Sequence, residues 1–177
     1  MLSVTFTPSD TSAYNTATAS VTLLVNKATP TVVWIPLPIS YGTRLGWLQL
    51  DAFSLVPGTF TYTPPAGTLL PAGKHELSAV FTPKDTRDYL TISVNATLEV
   101  FKAFPHITWA RPAAITVGTP LGAAQLDATA TIAGIFVYNP SAGTKLPAGK
   151  WKLTATFTPA DTTNYQTARA HVRLSVK

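Results

Sequence analysis

No cysteine occurs among the 177 residues, so disulfides and thiolate metal sites are excluded. Charge is sparse: Asp, Glu, Lys and Arg together make up 12% of the chain. With 46% apolar residues beside so little charge, the chain is not a disordered tail, because it has the surface to build a core. No apolar run approaches the ~20 residues that a membrane-spanning helix needs. The opening Met1-Leu2-Ser3-Val4-Thr5-Phe6 has no basic region ahead of an apolar core, so it is not a signal peptide. Long segments of helical period are missing. So are a Gly-rich phosphate loop, a nucleophile elbow and a paired-carboxylate pattern. His75, His106 and His171 stand at no metal-binding spacing. The residues therefore imply no cofactor, no metal and no enzyme activity.

What the chain does have is an internal repeat, which governs any reading of the rest. Pro71-Ala72-Gly73-Lys74 leads to Phe81-Thr82-Pro83, Asp85-Thr86 and Tyr89. The same block returns as Pro147-Ala148-Gly149-Lys150, Phe157-Thr158-Pro159, Asp161-Thr162 and Tyr165. Its second half also stands at the front, as Phe6-Thr7-Pro8, Asp10-Thr11 and Tyr14. The three Phe-Thr-Pro triplets are 75 and 76 residues apart, the slip coming from one residue inserted between Trp109 and Ile115. The period divides the chain into an incomplete copy, 1–27, and two full copies, 28–102 and 103–177. Copies this small bury only about 60–65% of their unfolded surface, so each is modestly stable alone. Leu2 falls where Leu77 and Leu153 fall, so Met1 reads as a start inside a longer protein.

Each copy ends in a strand of period two, the mark of a half-buried strand. These are Ala19, Val21, Leu23, Val25; then Val94, Ala96, Leu98, Val100; then Ala170, Val172, Leu174, Val176. Before it runs a strand whose inward set is Leu77, Ala79, Phe81 or Leu153, Ala155, Phe157. Thr31–Trp34 and His106–Trp109 open the full copies behind Pro30 and Pro105. Leu48–Ala52 and Ala124–Ala128 are a matched pair, and Phe60–Tyr62 and Phe136–Tyr138 read as strands between Gly turns. Short alternating strands punctuated by Gly and Pro predict a β-sandwich. Its core is expected to hold Trp34, Leu50, Phe60, Tyr62, Leu77, Phe81, Tyr89, Leu98 and their equivalents. The junctions Val25–Ala28 and Val100–Ala103 are short and free of the Gly and Ser of flexible linkers, so the copies are expected to form a stiff rod.

The pattern Pro-Ala-Gly-Lys-x-x-Leu-x-x-x-Phe-Thr-Pro-x-Asp-Thr-x-x-Tyr, closed by an alternating strand, resembles the bacterial immunoglobulin-like tandem repeats of secreted and cell-surface proteins. The resemblance covers essentially the whole chain and implies an all-β fold. That fold is a tandem of immunoglobulin-like β-sandwiches, about seven strands per copy, with an incomplete N-terminal copy. It implies a non-catalytic structural or adhesive module of a large bacterial extracellular or cell-surface protein. Neighbouring repeats would be the first partners. A carbohydrate-binding accessory module attached to a secreted enzyme is the alternative.

In Asp85-Thr86-x-x-Tyr89, Asp85 is expected to accept backbone N–H bonds in the turn. The Tyr is expected to return its hydroxyl to the backbone, as a tyrosine corner does. Calcium would need several oxygen ligands; Asp85 and Asp88 offer two, but Asp88 becomes Asn164 and Ala13 in the other copies. Residues 1–27 read as a last hairpin whose apolar face needs cover, by another chain (self-association), by strand exchange or by docking on the next copy; the alternative is a cut from a longer array that is poorly ordered.

Candidate ligand-facing residues are those that the fold does not share between copies. Trp34 and Trp109 are equivalent and read as packing. Trp47 aligns with Ala123 and Trp151 with His75, so either ring can stack on a sugar, although Trp151 is in phase with Leu153 and can cap the core. Residues 28–102 carry five basic and five acidic side chains, whereas 103–177 carry seven basic and two acidic, Asp127 and Asp161. If the last two strands pair, Lys152 lies beside Arg173 and His171 across from Thr154, with Arg169 further on. That basic stripe fits an acidic polysaccharide or cell-envelope polymer. No base-reading element accompanies it, so specific nucleic-acid binding is not expected. Its bland reading is a solvated edge whose Lys and Arg deter strand addition.

Overall fold

The computed structural model describes residues 1–177 and contains thirteen β-strands and no helix. No helix is therefore long and apolar enough to cross a membrane. The chain is all-β, built from immunoglobulin-like sandwiches.

In the first full copy, β3 (Val32–Val33) pairs with β5 (Phe53–Ser54) as one small sheet. The second sheet has the order β4 (Ile39–Ser40), β8 (Ile92–Phe101), β7 (Gly73–Pro83), β6 (Gly58–Thr63). In the second full copy, β9 (Ile107–Thr108) pairs with β10 (Thr129–Ala130), and β11 (Gly134–Asn139), β12 (Gly149–Pro159) and β13 (Ala168–Val176) form the larger sheet.

Strand content is lower than the seven expected: six in the first copy and five in the second. The difference lies in short segments that pair through one residue. The equivalent of β4 is reduced to a parallel bridge between Ile115 and Val176, and Arg44–Leu69 and Pro120–Lys145 are single antiparallel bridges. A segment that crosses a sheet edge over one or two residues contributes hydrogen bonds without room for a ladder.

The long strands show why the sheets form. Along β7, Leu77, Ala79 and Phe81 are buried, with Ser78 and Val80 between them, and along β12 Leu153, Ala155 and Phe157 are buried, with Thr154 and Thr156 between them. Two cores result. One gathers Ile39, Leu45, Leu77, Leu98 and Val100, with Trp34, Tyr41, Leu50 and Leu70 packed against them. The other gathers Leu121, Leu146, Leu153, Val172, Leu174 and Val176, with Trp109, Ile115, Leu126 and Trp151. Trp34, Leu50, Phe60, Tyr62 and Tyr89 are half-buried rather than fully enclosed, because the sandwich is only two thin layers.

The structure gives form to one segment the sequence left open and replaces one expectation. The Gly46–Leu50 segment is a tight turn, with Gln49 and Leu50 N–H groups bonded to the Gly46 carbonyl. Gln49 is buried at 5% exposure; its Oε1 accepts from Gly46 N–H at 3.2 Å, and its Nε2 donates to the Leu37 carbonyl at 3.2 Å. The Trp34 indole donates to the Gln49 carbonyl at 2.9 Å, and Trp109 repeats this with Gln125 at 3.1 Å.

The tyrosine that returns its hydroxyl to the backbone is Tyr62, not Tyr89: it accepts from Ala52 N–H at 3.0 Å. Tyr138 does the same for Ala128. Tyr89 and Tyr165 serve through their backbone instead, bridging in parallel to Ala28 and Ala103.

Burial pushes both the Tyr62 and Tyr138 phenols above their ordinary value, while the bond from the Ala52 or Ala128 N–H opposes this. A phenol with a raised pKa in the fold ionises more readily in the unfolded chain. Stability is therefore fully present below the ordinary tyrosine pKa of about 10 and is lost as pH rises through the folded value. Urea unfolding followed from pH 8 to 11 should show this decline, and Tyr62→Phe with Tyr138→Phe should flatten it. An undiminished slope in the double variant would remove these two phenols as its cause.

The incomplete copy is a lone hairpin, β1 (Leu2–Phe6) against β2 (Ala17–Val21), in the register Leu2 to Val21 and Phe6 to Ala17. Leu2, Val4, Phe6, Val21 and Leu23 are all exposed. Neither strand of the hairpin joins another sheet.

Candidate functional site

Alternation along β12 and β13 decides which side chains reach the outer face of the second copy. The strands pair antiparallel with Lys150 opposite Ser175, Lys152 opposite Arg173, Thr154 opposite His171 and Thr156 opposite Arg169. Since Leu153, Val172 and Leu174 are buried, the residues between them point outward, and Lys150, Lys152, Arg169, His171 and Arg173 are all exposed. Arg173, His171 and Arg169 thus follow one another at about 6.8 Å intervals along β13.

Trp151 is half-buried and in phase with the inward Leu153. Its ring packs against the second core, and its indole N–H donates to the Pro147 carbonyl at 2.9 Å. Lys150, Trp151, Lys152 and Arg173 together line an open cavity of about 170 Å³. Trp47 is not part of this group. It stands in the first copy, 78% exposed, in the turn before Gln49.

His75 takes the place of Trp151 in the first copy and does the same local work. Its Nε2 lies 2.8 Å from the Pro71 carbonyl. A carbonyl only accepts, so that ring nitrogen carries the hydrogen. A ring N–H closing the Pro-Ala-Gly turn is thus common to both copies, which comparison of residue names alone does not show.

The edge strand β11 adds residues that sequence reasoning did not single out. Ile135 and Val137 are 71% and 64% exposed. Val137 lies in line with Thr156 and Arg169 across the three strands. The signal was available in the alternation, because the first copy has Thr59 and Thr61 at the same positions.

The Asp turns are built as expected. Asp85 Oδ1 accepts from the N–H groups of Arg87 and Asp88 at 3.0 and 3.2 Å, and Asp10 from those of Ser12 and Ala13 at 3.0 and 3.2 Å. In the second copy the Asn164 amide donates to Asp161 Oδ2 at 2.8 Å, and this bond, followed by the Asn164 backbone N–H, holds the Asp161 carboxyl below its ordinary value. Asn164 also looks outward: its Oδ1 accepts from Ala72 N–H of the preceding copy at 2.8 Å.

That contact belongs to a junction that sequence reasoning missed. The Lys102 ammonium donates to the Thr162 carbonyl at 2.7 Å, and Lys27 donates to the Thr86 carbonyl at 2.7 Å. Each lysine closes one copy and grips the Asp-Thr turn of the next. Between the full copies Tyr41 and Tyr165 also meet edge to face, with centroids 5.4 Å apart. The regular placement of Lys27 and Lys102 just after the last strand was the legible signal.

No group of three or more His, Asp and Glu side chains is placed to hold a metal ion.

Strand pairing and core place the chain in the class of all-β immunoglobulin-like β-sandwich proteins. No protein-family model and no curated protein matches the sequence. Among solved structures, the chain is similar to the Drosophila N-cadherin EC1-4 fragment, at 14% identity and a TM-score of 0.33, covering 85% of this chain and 50% of that one. The chain thus spans about half the length of that fragment. It is also similar to the fibronectin(III)-like modules of Clostridium thermocellum CbhA, at 13% identity and a TM-score of 0.30, covering 83% of this chain and 94% of that one. Human protocadherin-24 EC1-2 overlays at 11% identity and a TM-score of 0.33, covering 86% of this chain and 99% of that one. Overlays this loose add nothing to the strand registers, on which the fold stands.

Proposed function

We propose that the chain is a stretch of a tandem immunoglobulin-like array from a large bacterial extracellular or cell-surface protein. In this reading it acts as a non-catalytic structural and adhesive element. Residues 28–102 and 103–177 are its two complete domains, and 1–27 is the end hairpin of another. The observation that carries the reading is the junction made twice in one way. Lys27 and Lys102 each donate to the carbonyl of the following Asp-Thr turn, both at 2.7 Å. Ala28 and Ala103 each bridge to the tyrosine of that turn. A chain that repeats its joint along with its modules is suited to holding a fixed spacing and direction.

The joint can be tested directly. In the full chain, small-angle scattering with residual dipolar couplings should give one narrow distribution of angles between 28–102 and 103–177. Lys102→Met combined with Asn164→Ala removes the two hydrogen bonds across the joint, worth about 0.5–1.5 kcal/mol each, along with the Asn164–Asp161 bond, and should widen it. A broad distribution in the parent protein would overturn the spacer reading.

The accessory-module alternative keeps one observation in its favour, the exposed Trp47 ring. Affinity electrophoresis in neutral polysaccharides, with Trp47→Ala as control, separates it: retardation lost in the variant favours a sugar-binding module.

A further inference from the structure

The two copies share their backbone but treat one outer corner in opposite ways. In the first copy Lys74 stands opposite Glu99, and Glu76 stands opposite Thr97 and takes a hydrogen bond from Asn95. In the second copy the same four positions hold Lys150 opposite Ser175 and Lys152 opposite Arg173. One cation and two anions have become three cations with no anion. Like charges directly opposite on neighbouring strands are destabilising, and the first copy shows that the fold does not require them.

No internal carboxylate answers these cations. The second copy has only Asp127 and Asp161. Asp161 follows the far end of β12 and is engaged by Asn164, while Asp127 acts on Tyr138, whose side chain points inward. The three cations and Trp151 surround a cavity of about 170 Å³. That is about five or six water volumes at about 30 Å³ each, enough for one charged group and part of what carries it.

We propose that this corner is a binding site for an acidic polysaccharide. The carboxylate or sulfate of one sugar sits among Lys150, Lys152 and Arg173. Arg173 supplies the planar fork that such groups match in two parallel hydrogen bonds. Trp151 supplies a rigid apolar wall, because its indole N–H is already fixed to Pro147 and its ring to the core. The polymer then runs along β13, where His171 and Arg169 meet its next charges. Nucleic acid fits less well. Its single strands bind by stacking bases on open aromatic rings, and the outer face beside this corner presents Thr154, Thr156, Ile135 and Val137 instead.

The site is independent of the array reading, since Lys152 and Arg173 take no part in the Lys102 joint. A failed binding test would therefore leave the spacer reading standing, and the reverse holds too. The full chain is titrated by calorimetry at low salt with alginate for carboxylate, heparin for sulfate, dextran as neutral polymer, and single-stranded DNA.

Binding to alginate or heparin, weakened at least tenfold in Lys152→Glu/Arg173→Thr, supports the site. Arg173→Thr alone, which copies Thr97, keeps the outcome readable should the double variant unfold. Because both changes remove a cross-strand repulsion, the melting temperature should hold or rise. The reciprocal graft His75→Trp/Glu76→Lys/Thr97→Arg/Glu99→Ser should add a second site per chain. Equal affinity in parent and Arg173→Thr, equal binding of dextran, DNA binding as tight as that of either acidic polymer, or a graft that stays at one site would each overturn the assignment.

Discussion

Phe81→Ala should cost about 3–5 kcal/mol and should unfold the first copy while leaving the second intact. Phe81 is 1% exposed, and its ring meets Phe60 at a centroid distance of 4.8 Å. It sits where β6 and β7 pair directly, Phe60 opposite Phe81. Truncation loses the ring's transfer free energy and leaves a cavity that flat strands cannot close. Domains of this kind hold about 5–10 kcal/mol in total, so the loss is a large share. Phe157 has the same role in the second copy, 1% exposed and 4.7 Å from Phe136. Urea unfolding of Phe81→Ala should therefore show an early transition and one at the parental position, and Phe157→Ala should show the reverse pairing. A single transition shifted as a whole would mean that the two copies fold as one unit.

The second large effect belongs to two glycines, Gly58 and Gly134, that open the strands β6 and β11. At Gly58 an added Cβ would lie 2.5 Å from the Thr82 carbonyl oxygen and 2.6 Å from the Phe81 ring. At Gly134 it would strike the Phe157 ring and lie 2.5 Å from the Thr158 carbonyl oxygen. The cause is the aromatic ring lying over the strand opposite, which occupies the space where a side chain would begin. Backbone oxygen cannot move aside as a flexible side chain can. Gly58→Ala and Gly134→Ala should each destabilise their own copy by about 1–3 kcal/mol. Phe81→Leu combined with Gly58→Ala should cost less than the sum of the two, since the smaller side chain leaves room. Strict additivity by denaturant titration would show that the ring is not the obstacle.

Much of the fold was legible in the residues. Alternation in Leu77, Ala79, Phe81 and in Val94, Ala96, Leu98, Val100 identified β7 and β8, and their mutual register follows from which face must be buried. The same reasoning placed Lys152 opposite Arg173. The short elements were not legible. Thr31–Trp34 and Leu48–Ala52 carry apolar residues in either case, yet one yields a two-residue strand and the other a turn organised by the buried Gln49 side chain. A polar side chain that satisfies backbone groups twelve residues away leaves no periodic trace. For the same reason Tyr89 was an expected corner and Tyr62 is the actual one: the partner of its hydroxyl, the Ala52 N–H, is set by the tertiary packing.

The sequence by itself determined the repeat, its period, the all-β class and the long strands, because a two-residue alternation and a recurring block need no distant information. It also determined the uneven charge of the two copies. The tertiary structure alone decided that Lys27 and Lys102 reach across to the Thr86 and Thr162 carbonyls, that Asn164 bonds to Ala72, and that Lys150, Trp151, Lys152 and Arg173 line one open cavity. Those groups lie up to 92 positions apart in the chain. Their meeting depends on how far each turn folds back and how each side chain is aimed, and a pattern of residue types carries neither quantity.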